Sequence, residues 1–189
     1  MNTNHKFYQS ITLLALTTGF LLMIPLIAMQ FTDEVVWTLS DFILAGTLLF
    51  GTGLTYKLAT RNTGEIIYRI AIGFALFTGL FLIWVNLAVG IIGSEDNPVN
   101  LLYFGVFFLG IIGALIARFQ SQGMELTMFA MALTQALVTV IVLIGGFYQS
   151  PPSTVFHIIS VNGFFITLYI LSALLFRYDA KGNKSTSTI

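Results

Sequence analysis

A carboxylate or carboxamide inside an otherwise apolar helix is expensive, so the polar side chains that interrupt the apolar runs of this 189-residue chain are the ones able to do chemistry. Counting inward at ~1.5 Å per residue from the outer ends of those runs predicts Asp41 and Asn86 roughly 10 Å deep, Asn162 slightly deeper and Gln135 near the midplane. Trp37 precedes Asp41 by one helical turn and shares its face, while Asn86, Gly90 and Gly93 form a second stripe. Trp84 and Tyr103 are predicted at comparable depth. Apart from Gln135, these residues predict an outward-opening polar pocket centred on Asp41, with Asp33, Glu34, Glu95 and Asp96 around its mouth. Such a pocket would bind a cation or a small polar solute. The plain alternative is that each amide bonds a neighbouring helix, for about 0.6–2 kcal/mol. In that alternative interfacial water reaches Asp41, and the acidic residues are solvated turns.

Other chemistries are discounted by what is missing. There are no cysteines, which removes disulfides, thiolate ligands and thiol nucleophiles. No Lys lies deep in an apolar run, which argues against a retinal Schiff base. His5 and His157 are predicted on opposite sides of the membrane and so do not ligate one haem. His157 alone reads as an interfacial hydrogen-bonding residue. HExxH, GxSxG and phosphate-loop motifs are absent. No cofactor is expected, the question of a metal stays open, and the only plausible base for a membrane enzyme is Asp41. Eight Lys and Arg balance eight Asp and Glu, leaving no basic excess for nucleic acid.

The elements that must position these residues follow from composition. With 57% hydrophobic and 8% charged residues, most of the chain must sit in lipid. Apolar runs of about 20 residues, enough for one crossing, recur at 11–30, 36–56, 67–92, 100–117, 126–147 and 154–176. The prediction is an all-α, polytopic bundle of six transmembrane helices. It forms a single domain over 1–180, followed by a disordered cytoplasmic tail over 181–189. All eight cations, among them Lys6, Lys57, Arg61, Arg118 and Arg177, fall on one side, which places both termini in the cytoplasm. Aromatic belts agree: Tyr8, Tyr56, Tyr68, Phe176 and Tyr178 face Phe31, Trp37, Phe147, Tyr148 and Phe156 across the bilayer. A cleaved signal peptide over 1–28 is the rival for the first run. Its apolar stretch is long, and Leu26-Ile27-Ala28 is a poor cleavage site.

Thr32-Asp33-Glu34 aligns with Ser94-Glu95-Asp96 at an offset of 62 residues, which also pairs Leu39 with Leu101, Phe42 with Phe104 and Gly51 with Gly113. That spacing suggests a bundle built from repeated two-helix hairpins. In the fifth run Met128, Ala132, Gln135, Thr139, Val142 and Gly146 form a packing seam. Gly110 with Ala114 and Gly113 with Ala117 are small-xxx-small pairs suited to close helix contact or oligomerisation.

The segments Met29-Gln30-Phe31-Thr32-Asp33-Glu34, with Trp37 and Asp41-Phe42, and Trp84-Val85-Asn86-Leu87-Ala88-Val89-Gly90-Ile91-Ile92-Gly93-Ser94-Glu95, with Asn97-Pro98, resemble a group of small bacterial membrane proteins over residues 20 to 120. The resemblance implies a bacterial inner membrane and brings no activity, ligand or catalytic residue. Three classes of function are carried forward: a protein that binds or transports a cation or small polar solute, an accessory or assembly subunit of a membrane complex, and a membrane-embedded enzyme.

Overall fold

Six stretches of this chain carry an apolar run long enough to bury a helix in lipid, and each forms a helix in the computed structural model. The model describes residues 3–61, 63–149, 151 and 153–186, with side chains for those between 8 and 182. The helices are α1 (Thr3–Ala28), α2 (Leu39–Ala59), α3 (Ile66–Ala88), α4 (Leu101–Ile116), α5 (Ser121–Ile144) and α6 (Val155–Thr186). Short 3-10 turns at Pro98–Asn100 and Phe147–Gln149 precede α4 and follow α5. All six are long and apolar enough to cross a bilayer, as in a multi-pass membrane protein, and the outward-facing apolar side chains of such a protein contact lipid.

Several boundaries differ from the sequence expectation. The second helix starts at Leu39, because Thr38 is extended and forms a capping box with Asp41. The third stops at Ala88 because Gly90 and Gly93 adopt positive φ, and the fifth starts earlier, at Ser121. The last continues past 176 to Thr186, so the tail expected from Lys181 falls partly on α6 and partly, over 187–189, outside the described residues. The side chains of His5, Lys6 and Lys184 also lie outside the described residues.

The chain divides into two compact units, Met1–Arg61 and Asn62–Ile189. In the first, α1 and α2 pair antiparallel. Gly53 lies so close to Leu14 that a Cβ would overlap it, and Gly46 approaches Leu22 in the same register. Thr18 and Ala45 are buried there, whereas Leu13, Leu16, Phe20 and Ile24 are exposed. In the second unit α6 packs on α5 and α3, and α4 packs on the same two helices, giving a four-helix bundle.

The bundle core is close-packed. Met128, Ala132, Gln135 and Val142 of the seam on α5 are all buried. A Cβ on Gly113 would stand 2.5 Å from Thr127, and one on Gly110 would stand 2.7 Å from Met131, so the small-residue face of α4 lies directly on α5. The α4–α5 connection is tight. Arg118 N–H bonds Leu115 O and Phe119 N–H bonds Ala114 O, the hydrogen-bond pattern of a Schellman stop. Arg118 and Phe119 both hold positive φ although neither is glycine. The Tyr68 hydroxyl donates to Phe119 O at 2.6 Å and holds that turn against α3. Nearby, the Ser121 hydroxyl donates to Asp179 at 2.6 Å, and Arg177 lies 3.8 Å from Glu125.

Candidate functional site

The α3–α4 connection folds around one side chain. Asn100 Oδ1 accepts the backbone N–H groups of Ile91 and Ile92, at 3.1 and 2.9 Å. Its Nδ2 donates to the carbonyls of Ile92 and Ser94, at 3.2 and 2.7 Å. An amide suits this role because it supplies two donor hydrogens and an acceptor with two lone pairs. Two neighbours complete the turn. Asn97 Oδ1 accepts Val99 N–H ahead of α4, and the buried Ser153 hydroxyl accepts Gly93 N–H at 2.7 Å, tying in the segment before α6. Gly90 takes φ +71° where a Cβ would overlap the Ser94 carbonyl, so the chain can double back only through glycine.

Asn86 extends this polar knot into the helices. From α3 its Nδ2 donates to Asn100 O at 3.1 Å. One helical turn further along α4, the buried Tyr103 hydroxyl accepts Asn162 Nδ2 from α6 at 3.2 Å. Asn162 Oδ1 in turn accepts Gln135 Nε2 from α5 at 2.9 Å. Tyr103, Gln135 and Asn162 are each 0% exposed. Asn86 with Asn100, and Tyr103 with Asn162 and Gln135, thus form two hydrogen-bonded groups of uncharged side chains that between them touch all four helices. Asn86 Oδ1 and Gln135 Oε1, both buried, find no partner within the protein.

Of the residues expected in the pocket, Tyr103 and Asn162 are brought together, and Asn86 joins Asn100 instead. Trp84 and Glu95 belong to the same unit but are exposed. In the first unit Asp41 accepts the Thr38 N–H at 2.6 Å and the Thr38 hydroxyl at 2.8 Å, at the start of α2. Trp37 packs edge-on against Phe42, with ring centroids 5.2 Å apart, and Asp33 is exposed in the turn before it. The sequence reading omitted Asn100 from the site and took Gln135 only as a packing and hydrogen-bonding residue. The Asn97-Pro98 turn just before an apolar run was the available signal for Asn100.

Chemically the two groups can donate and accept hydrogen bonds and can do little else. They hold no carboxylate, imidazole or amine, and no group of three or more His, Asp or Glu among the described residues could hold a metal ion. No protein-family model, curated protein or solved structure matches the chain.

Proposed function

We propose that the protein is a membrane-embedded binding protein for a small, uncharged polar solute, recognised in the α3–α6 bundle by Asn86, Tyr103, Asn162 and Gln135. The observation that carries this reading is that two buried amide oxygens, Asn86 Oδ1 and Gln135 Oε1, lack a donor within uncharged hydrogen-bonded groups of the same bundle. A buried acceptor left without a donor costs about 1–3 kcal/mol, and a donor-bearing solute would recover that. A cation is disfavoured, because these groups hold no carboxylate to offset an ion's charge. The exposed carboxylates of Glu95 and Asp96, in the α3–α4 connection, repel anions. In this reading the protein lies in a bacterial inner membrane with both termini inside, and the Asn100 knot faces out.

The test is thermal stability in detergent with urea, glycerol and acetamide against NaCl and KCl. A ligand at 100 times its Kd stabilises by about 2.7 kcal/mol, or roughly 5–10 °C for a chain of this size. Replacing Gln135 by Met together with Asn162 by Leu keeps volume and removes the paired amides, so this variant folds but loses the shift. Equal responses of wild type and double variant to every solute would refute the proposal.

A further inference from the structure

Gln135 on α5 and Tyr169 on α6 are both fully buried, and each has a polar atom unmatched within the protein, Oε1 and the hydroxyl respectively. The identity of the free glutamine atom follows from its neighbours. Asn162 Nδ2 bonds Ile158 O, a carbonyl that can only accept, so Asn162 presents Oδ1 to Gln135. Gln135 must answer with Nε2, which leaves Oε1 as the acceptor without a donor.

Helix geometry directs the two unmatched groups toward each other. Tyr169 follows Asn162 by seven residues, so both occupy nearly the same face of α6, and their Cα atoms are about 10.5 Å apart along the axis. Phe165, between them, is turned to Phe81 of α3 at a centroid distance of 5.7 Å. The helices run antiparallel, since Gln135 pairs with Asn162 and Ser121 with Asp179. Long side chains lean toward the N-terminus of their own helix. The Tyr169 phenol therefore leans toward Asn162, while Gln135 leans down α5 toward Tyr169, and each covers part of the separation.

We propose that a water molecule is bound between Gln135 Oε1 and the Tyr169 hydroxyl. Water donates to the amide oxygen and exchanges a hydrogen bond with the phenol, and in a close-packed core it is the smallest species able to do both. The site continues the polar group of Asn162 along α6, and because an amide oxygen has two acceptor sites the water at Gln135 Oε1 leaves the second for a solute.

Tyr169→Phe removes the hydroxyl and little else. In a dry core that deletes an unmatched polar group and leaves the unfolding midpoint in detergent unchanged or higher. With bound water the midpoint falls, by about 2–4 °C. Gln135→Met removes the other partner. If one water serves both residues, the double variant loses less than the sum of the single losses. If Gln135→Met does not fold, the Gln135→Met/Asn162→Leu background replaces it, and there Tyr169→Phe must have a smaller effect than in wild type. A midpoint that Tyr169→Phe leaves unchanged or raises overturns the proposal. So does a fall that is fully additive with loss of the Gln135 amide, because the hydroxyl then has some other partner.

Discussion

Replacing Asn100 with alanine should be among the most damaging single changes in the second unit. Four hydrogen bonds end on that side chain, but they are not equivalent. Ser94 is exposed, and water can meet its carbonyl, whereas Ile91 and Ile92 are 1% and 0% exposed. Two buried N–H donors are stranded, at about 1–3 kcal/mol each, for a loss of about 2–6 kcal/mol. For a chain of this length that lowers the thermal midpoint by at least about 4 °C. Thermal unfolding in detergent followed by tryptophan fluorescence measures it, with Asn100→Asp as control. Aspartate keeps the acceptor for Ile91 and Ile92 but sets a second oxygen against the carbonyls of Ile92 and Ser94, so it should be comparably destabilising at neutral pH. A loss below about 1 kcal/mol for Asn100→Ala would refute the claim that this side chain holds the connection together.

Gly90→Ala should cost more than about 1 kcal/mol, from positive φ and overlap with Ser94, whereas Gly51→Ala, with open space at its Cβ, should be neutral or slightly stabilising by the same thermal assay. Gly113→Ala should cost more than Gly110→Ala, because it meets the branched Thr127, whose hydroxyl is tied to Gly123 O, while Met131 can swing aside. Thr38→Ala and Asp41→Ala should each cost about 1 kcal/mol as lost caps of α2, and a double-mutant cycle should show them coupled. Single cysteines introduced into this cysteine-free chain should be labelled from outside near Glu34, Asp96 and Pro151 and from inside near Arg61 and Gln122. An external C-terminus would contradict the proposed topology.

The six helices were legible because hydropathy is a property of each segment alone. The start of α2 was readable but misread: Val36 and Trp37 look like helix by hydropathy, yet Thr38-Leu39-Ser40-Asp41 carries capping spacing, and that local chemistry sets the boundary. The stripe of Asn86, Gly90 and Gly93 was visible without its purpose, since Asn100, the group that organises it, acts through bonds to backbone whose fold the sequence does not display. Depth counting brought Tyr103 near Asn162 but separated Asn162 from Gln135. The α5–α6 register, which joins them at 2.9 Å, is a tertiary property fixed by packing between helices.

Solute recognition by the buried amides is tested most directly at Tyr103, which shares a hydrogen bond with Asn162. Incorporating 3-fluorotyrosine there gives a fluorine resonance that can be titrated with urea, glycerol and acetamide, and separately with NaCl and KCl, in wild type and in the Gln135→Met/Asn162→Leu variant. The expected result is a saturable shift with at least one neutral solute, absent from the variant and absent with either salt. A resonance that moves with cations alone, or moves equally in wild type and variant, would contradict it.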